Sequence, residues 1–231
     1  MKPTKHKKYK QSKVMNPTLS LTLSFLLFTF LSNLSPNNAG QPVFDTNGKP
    51  VVFGKQYFIS PATDNIPTKG GLTLNKVGDD SKCPVTVLQN NAITGLPVKF
   101  TIPQNTTGIG PEIGMVTSSD LEIEFIEKPD CAESSKWLVF VDDKIQENCV
   151  GIGGPANYPG VEIISGKFLV VTHTQGPSYR IGFCLDSSGD CFYVGLQEFN
   201  SGEGGSRLIL TIAGAYNVVF VDADSVKSQS I

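Results

Sequence analysis

The chain has 231 residues, with 19 Lys and Arg against 21 Asp and Glu, five Cys and two His. Five cysteines in that length exclude a mini-protein held together mainly by disulfides. Residues 1–39 carry six Lys and no other charge, so residues 40–231 hold 13 basic against 21 acidic residues, a net of −8 that argues against a nucleic-acid partner.

In chain order, the first feature is the apolar run Leu-Ser-Leu-Thr-Leu-Ser-Phe-Leu-Leu-Phe-Thr-Phe-Leu at 19–31, preceded by the Lys cluster and followed by a polar stretch ending Asn37-Asn38-Ala39-Gly40. Basic, apolar, then polar with a small residue is the order of a secretory signal peptide. The run is short and Ser-interrupted for a membrane anchor, the competing reading. Cleavage is expected near Ala39–Gly40, which makes residues 1–39 the signal and 40–231 a single secreted domain with no membrane attachment. Met15 is an alternative true start, because the segment from it is already a complete signal.

Beyond Gly40, short apolar runs recur with turn residues between them: PVVFGKQYFIS, CPVTVLQ, LPVKFTI, LEIEFIE, KWLVFVD, VEIIS, KFLVVTH, YRIGFCL, CFYVGLQ, RLILTI and NVVFVDA. They are rich in Val, Ile, Phe and Tyr, and Leu121-Glu122-Ile123-Glu124-Phe125 alternates with the period of a half-buried strand. TNGKP, NNAITG, SSGD and GEGG supply the turns, and no window predicts a helix of ten residues or more. The pattern predicts an all-β domain of about ten to twelve short strands, in a barrel or sandwich. The polar tail after Asp222 is expected to fray.

A secretory route makes disulfides the expected state of the cysteines. Cys184 and Cys191 flank a turn-like hexapeptide between two strands, where a hairpin bridge is natural. A Cys83–Cys131 bridge would close a loop worth about 4 kcal/mol by loop entropy. Cys149, in a Gly-rich stretch, is the odd cysteine, either free or paired with another molecule. No cysteine pair has zinc-site spacing, so no metal is expected.

No constellation points to an enzyme. His173 is the single histidine after residue 39, and its apolar flank marks a strand end rather than a catalytic base. Glu122 and Glu124 share one face of a strand; a carboxylate pair could do acid–base work, but a solvated face explains them. The Gly-x-Gly groups lack a following helix or Lys and are turn glycines. Asn105 heads a glycosylation sequon, Asn-Thr-Thr, in a stretch (101–120) with no Lys, Arg or aromatic residue.

The ordered set VFDTNGKPVVFGKQYFISP, KCPVTVLQ, GLPVKF, SSDLEIEF, CAESSKW, SYRIGFC and RLILTIAGAYNVVFV resembles the plant Kunitz-type inhibitors of the soybean trypsin inhibitor kind, including miraculin-like members, over essentially all of residues 40–231. The resemblance implies a β-trefoil: twelve strands in three pseudo-repeats, six closing a barrel and six capping it. It implies bridges Cys83–Cys131 and Cys184–Cys191, and a monomer in the apoplast or vacuole that blocks a protease by occlusion with no cofactor. The blocking loop is implied to lie before the 121–125 strand, at Gly110-Pro111-Glu112-Ile113, with Pro111 at or beside the specificity-determining position. Relatives that block trypsin carry Arg or Lys there, because a trypsin-like pocket ends in a carboxylate. Pro111 supplies no cation, so a serine protease other than trypsin is the expected target, with Ile113 or Met115 candidates for an apolar pocket. The Asn with which family members brace the loop falls on Phe53, which cannot make those bonds; Asn47 is the nearest substitute. Lys167, in Ile-Ser-Gly-Lys-Phe, and Lys69 are expected on turns as alternative inhibitory cations, with an ordinary solvated turn as the plain reading of each. The other readings are a non-inhibitory binding or storage trefoil, or an inhibitor of another hydrolase such as an amylase or cysteine protease.

Overall fold

A computed structural model describes residues 40–63, 69–76, 82–103, 114–173, 178–198 and 204–228. The expected signal, residues 1–39, lies outside them.

Apolar side chains alternating along short segments have to face a shared interior, and here they build three repeats of strands. The first holds β1 (Gln56–Pro61), β2 (Leu72–Asn75), β3 (Thr86–Gln89) and β4 (Val98–Thr101). The second holds β5 (Glu122–Phe125), β6 (Trp137–Asp142), β7 (Glu147–Ile152), β8 (Ile163–Ile164) and β9 (Gly166–Thr172). The third holds β10 (Tyr179–Leu185), β11 (Cys191–Gln197), β12 (Ser206–Thr211) and β13 (Asn217–Asp222). Among the described residues thirteen segments stand where twelve are expected because Ser165 alone separates β8 from β9. The bend lets β8 pair with β6 while β9 pairs with β10.

Antiparallel pairing runs β1 to β4, β4 to β5, β9 to β10, β10 to β13 and β13 back to β1. The circuit closes between β5 and β9 through the Leu121–Phe168 bridge, where Leu121 N–H donates to the Phe168 carbonyl at 2.9 Å. Closure leaves this six-membered barrel without an unpaired edge. The remaining strands form hairpins β2–β3, β6–β7 and β11–β12. Their inner members meet in a triangle, with Thr86 opposite Gly151, Ile209 opposite Cys149 and Ser206 opposite Gln89. A barrel of six strands capped by three mutually paired hairpins is the β-trefoil.

The barrel interior is aromatic. Phe100 and Phe220 meet edge to face at 5.2 Å, Phe168 and Phe183 at 4.9 Å, and Tyr179 stacks on Phe220 at 5.4 Å. Such pairs add about 0.5–1.5 kcal/mol each beyond their area burial. In β5, Ile123 and Phe125 point inward while Glu122 and Glu124 stay outside, as the alternation predicts.

Two disulfides staple the shell. Cys83–Cys131 ties the approach to β3 to the β5–β6 connection, and Cys184–Cys191 joins register partners across the β10–β11 hairpin. Cys149 is a free thiol in the cap triangle, fully buried, with its pKa pushed up to about 12 by burial. Of the two states expected for it, burial and a suppressed thiolate favour the free thiol over pairing with another molecule. Beside it, Arg207 Nη1 lies 2.7 Å from Asp142 Oδ2, a buried ion pair that links β12 to β6.

The tail does not fray at once. Ala223–Ser228 form a short helix, α1, because Asp222 caps it: its Oδ1 accepts from Asp224 N–H at 3.1 Å and its carbonyl from the Ser225 hydroxyl at 2.6 Å. Asp222 Oδ2 is held by Lys55 Nζ at 2.7 Å, and that hydrogen bond raises the Lys55 pKa.

Candidate functional site

The connection between β4 and β5, residues 102–121, is the longest between strands that follow one another directly in the chain, and the expected loop Gly110, Pro111, Glu112 and Ile113 lies within it, outside the described residues. Asn105 lies outside them too. What the structure describes is how the two stems are held.

The N-terminal stem leaves β4 at Thr101, whose hydroxyl donates to Glu122 Oε2 on β5 at 3.3 Å. One residue earlier, the Phe100 carbonyl accepts from Gly54 N–H at 2.9 Å. The C-terminal stem, Gly114–Thr117, runs along a hairpin made by residues 41–52. Val52 bridges Gly114 and Pro42 bridges Val116. Thr117 N–H donates to the Gln41 carbonyl at 2.8 Å, and Gln41 N–H donates to Thr117 Oγ1 at 2.9 Å. The hairpin owes its tight tip to Asp45, a buried side chain whose Oδ1 accepts from the N–H groups of Asn47 and Lys49 at 2.8 and 2.9 Å. Gly48 takes φ 73° at that tip, a conformation that disfavours other residues.

Met115 is fully buried between Val43 and Val51. It is therefore part of the core and not a side chain offered to an apolar pocket, a correction to its candidacy; apolar residues near a connection look alike in sequence whether they face in or out. Phe53 is partly buried and packs against the core. Asn47 is exposed at the hairpin tip, its N–H committed to Asp45.

Of the two cationic alternatives, Lys167 departs from expectation. Lys167 is not on a tight turn: it lies in β9, register partner of Cys184, and its ammonium is 3.0 Å from Asp120 Oδ2. The hydrogen bond to Asp120 raises its pKa. Gly166 before it is not in the left-handed region. It is glycine because a side chain there would run into the Cys184 carbonyl and the Phe183 ring. A glycine required by close packing reads as a turn glycine in sequence. Lys69 is exposed next to Gly70, which takes φ 94°, an ordinary bend.

Glu122 and Glu124 face the same side, each with its own lysine: Lys136 Nζ lies 2.7 Å from Glu122 Oε2, and Lys99 Nζ 3.0 Å from Glu124 Oε1. They are a charge-balanced strand face. His173 follows directly after β9, its N–H donating to the Ser178 carbonyl at 2.9 Å. Among the described residues no group of three His, Cys, Asp or Glu side chains could hold a metal ion, and no helix is long and apolar enough to cross a membrane.

Sequence reasoning overlooked two residues of this site, the tyrosines at the bottom of the hairpin. Tyr179 Oη accepts from Phe44 N–H at 2.7 Å, and Tyr57 Oη from Val52 N–H at 2.9 Å. Their signal is faint: a tyrosine at an inward strand position needs a polar partner for its hydroxyl, but the sequence does not say which.

Residues 43–222 match the legume Kunitz family, described as trypsin and protease inhibitor. A Kunitz-type trypsin inhibitor-like 2 protein of Pisum sativum is 48% identical over 222 residues, 94% of this chain and 98% of that protein. The subtilisin inhibitor CLSI-II of Canavalia lineata is 44% identical over 186 residues, 79% of this chain and 93% of that one. Among solved structures, a Kunitz type trypsin inhibitor from Cicer arietinum superposes with a TM-score of 0.71 at 49% identity, covering 79% of this chain and 99% of its own. The trefoil, its two staples, the clamped stems of the β4–β5 connection and these likenesses agree: the chain belongs to the legume Kunitz family of trypsin and protease inhibitors.

Proposed function

We propose that this chain is a secreted inhibitor of a serine endopeptidase whose primary pocket takes a neutral side chain. The backbone around Gly110-Pro111-Glu112-Ile113 would occupy the protease as a substrate does. The observation that carries the choice of target is the pairing of a loop without cations with a relative named for subtilisin. Residues 104–113, Gln-Asn-Thr-Thr-Gly-Ile-Gly-Pro-Glu-Ile, contain no Lys or Arg, and the Canavalia lineata protein named as a subtilisin inhibitor is 44% identical. A pocket built around a buried carboxylate rejects a ligand that leaves its charge unpaired. Stems held by backbone hydrogen bonds favour inhibition over turnover, because a pre-ordered loop loses less entropy on docking. Residues 1–39 would direct export and be removed, a glycan on Asn105 would flank the loop, and the inhibitor would act as a monomer without cofactor.

Titration of the secreted product against subtilisin, elastase, chymotrypsin, trypsin, a cysteine protease and an amylase tests this. Stoichiometric inhibition of a subtilisin- or elastase-type enzyme is expected, with trypsin bound at least about 100-fold more weakly. Replacing Pro111 and Glu112 together should weaken inhibition; if it survives undiminished, the site is not this loop. Tight inhibition of trypsin by the unsubstituted chain overturns the neutral-pocket assignment. Inhibition of none of the six leaves the binding or storage reading in its place.

A further inference from the structure

The C-terminal stem of the inhibitory loop is fastened by a closed ring of three backbone hydrogen bonds. Val43 N–H donates to the Met115 carbonyl at 2.9 Å, Met115 N–H to the Val51 carbonyl at 2.7 Å, and Val51 N–H to the Val43 carbonyl at 2.8 Å. All three side chains are 0% exposed, so water does not compete for these bonds. Two members of the ring sit on the two legs of the 41–52 hairpin, and the third is the stem. Wherever the hairpin goes, the stem goes with it.

Two side chains fix the hairpin to the barrel, one on each leg. Phe44, next to Val43, donates its N–H to Tyr179 Oη; Val52, next to Val51, donates to Tyr57 Oη. The phenols are themselves buried and packed. Tyr57 and Tyr179 are 1% and 3% exposed, on barrel strands β1 and β10, which flank β13 and both pair with it. Tyr179 stacks on Phe220, and Tyr57 lies against Phe100 at 6.2 Å between ring centroids. One path from barrel to stem is thus two phenol oxygens, two hairpin legs, one ring of hydrogen bonds and Met115; beside it, Thr46 N–H donates to the Phe220 carbonyl at 2.9 Å and Ser118 N–H to the Val170 carbonyl at 2.8 Å, backbone bonds that every tyrosine variant keeps.

We propose that Tyr57 and Tyr179 are positioning residues for inhibition, holding the stem at Gly114–Met115 in place through the hairpin. The inference rests on the loop assignment of the proposed function. In a substrate-like inhibitor, the difference between plugging a protease and being cut by it lies in how firmly the two ends of the loop are held. Loosening the stem turns an inhibitor into a substrate without touching any residue that meets the protease.

The variants are Tyr57→Phe and Tyr179→Phe, singly and together, each keeping the ring in the barrel and removing only the acceptor. Tyr158→Phe is the control: its hydroxyl is also buried and shares its one proton between the Val85 and Ile152 carbonyls at 3.1 and 3.0 Å, but in the cap. Two readouts are taken on the full secreted domain. The first, with no protease present, is amide hydrogen exchange at Val43, Val51 and Met115, compared with Cys149 and Ile209 in the cap. The second is the inhibition constant, with the rate at which the inhibited protease cleaves between residues 104 and 113. Each phenol removal should speed exchange at the three ring amides by about tenfold, the equivalent of one buried hydrogen bond, with the cap amides unchanged. Inhibition should weaken and loop cleavage accelerate in step, while Tyr158→Phe leaves both at the unsubstituted values. Exchange that accelerates equally in ring and cap, or cleavage that rises as much in Tyr158→Phe, reduces the tyrosines to general stabilisers and overturns the proposal. If the unsubstituted domain inhibits no protease, the functional reading falls. The exchange pattern then decides by itself whether these phenols position the stem.

Discussion

Breaking the buried ion pair of the cap gives a sharp test of how this trefoil is held together. Arg207 Nη1 and Asp142 Oδ2 are 2.7 Å apart, and the two side chains are 5% and 9% exposed. Asp142 Oδ1 also accepts from Lys144 N–H at 3.1 Å. Arg207→Met keeps the length of the stem but leaves the Asp142 carboxylate buried without its cation, which should destabilise the domain by about 3–5 kcal/mol. At a urea slope of about 2 kcal/mol/M, the unfolding midpoint should fall by about 2 M. The double variant Arg207→Met/Asp142→Leu removes both charges and fills the space with apolar groups; it should recover to within about 1 kcal/mol of the unsubstituted domain, or exceed it. Urea unfolding followed by the fluorescence of Trp137, the single tryptophan, measures all three proteins. A double variant as unstable as Arg207→Met would show that the loss comes from packing of the arginine stem and not from the stranded carboxylate. A single variant that loses less than about 1 kcal/mol would show that water reaches Asp142.

Met115→Ala should lose about 2–5 kcal/mol and Met115→Leu less than about 1.5 kcal/mol, read by the same urea titration; near-equal losses would deny Met115 its place as a packed core residue. Removing Cys83–Cys131 by double Ser substitution should cost about 4 kcal/mol and removing Cys184–Cys191 about 2.5 kcal/mol on the loop-entropy model, since the bridges span separations of 48 and 7 residues; calorimetry of both gives the order. Burial raises the Cys149 pKa from 9.0 to about 12. Between those values the unfolded chain gives up a proton that the folded chain keeps, so stability falls as pH rises, by about 1.4 kcal/mol per unit. Cys149→Ala should remove that component of the alkaline slope, and the native thiol should resist thiol reagents until the domain unfolds.

Much of the fold was legible because it depends on local pattern. The alternation in 121–125 placed Ile123 and Phe125 inside and the two glutamates outside. The runs around Val98–Phe100, Tyr179–Phe183 and Val218–Phe220 marked strands by their β-branched and aromatic content. Strand β2 escaped because Leu72–Asn75 is four residues with a single fully buried side chain, too little to set a period. The tail was misread because the stop signal after β13 is also a helix cap: Asp222 closes one element and opens the next. Lys167 was misplaced because Ser165-Gly166 looks like a turn, whereas the chain only bends there to serve two partners.

The sequence by itself settled the class of the molecule: an acidic, strand-built domain with paired cysteines in a family order, and a loop without a cation. Those properties follow from which residues are present and how they are spaced. Three-dimensional folding alone decided that Met115 is buried, that Cys149 is sealed, that Lys167 is tied to Asp120, and that the 41–52 hairpin is bonded to the phenols of Tyr57 and Tyr179. Each of those depends on contacts between segments far apart in the chain, Phe44 with Tyr179 or Val43 with Met115, and a hydrogen bond across such a distance leaves no periodic trace in either segment.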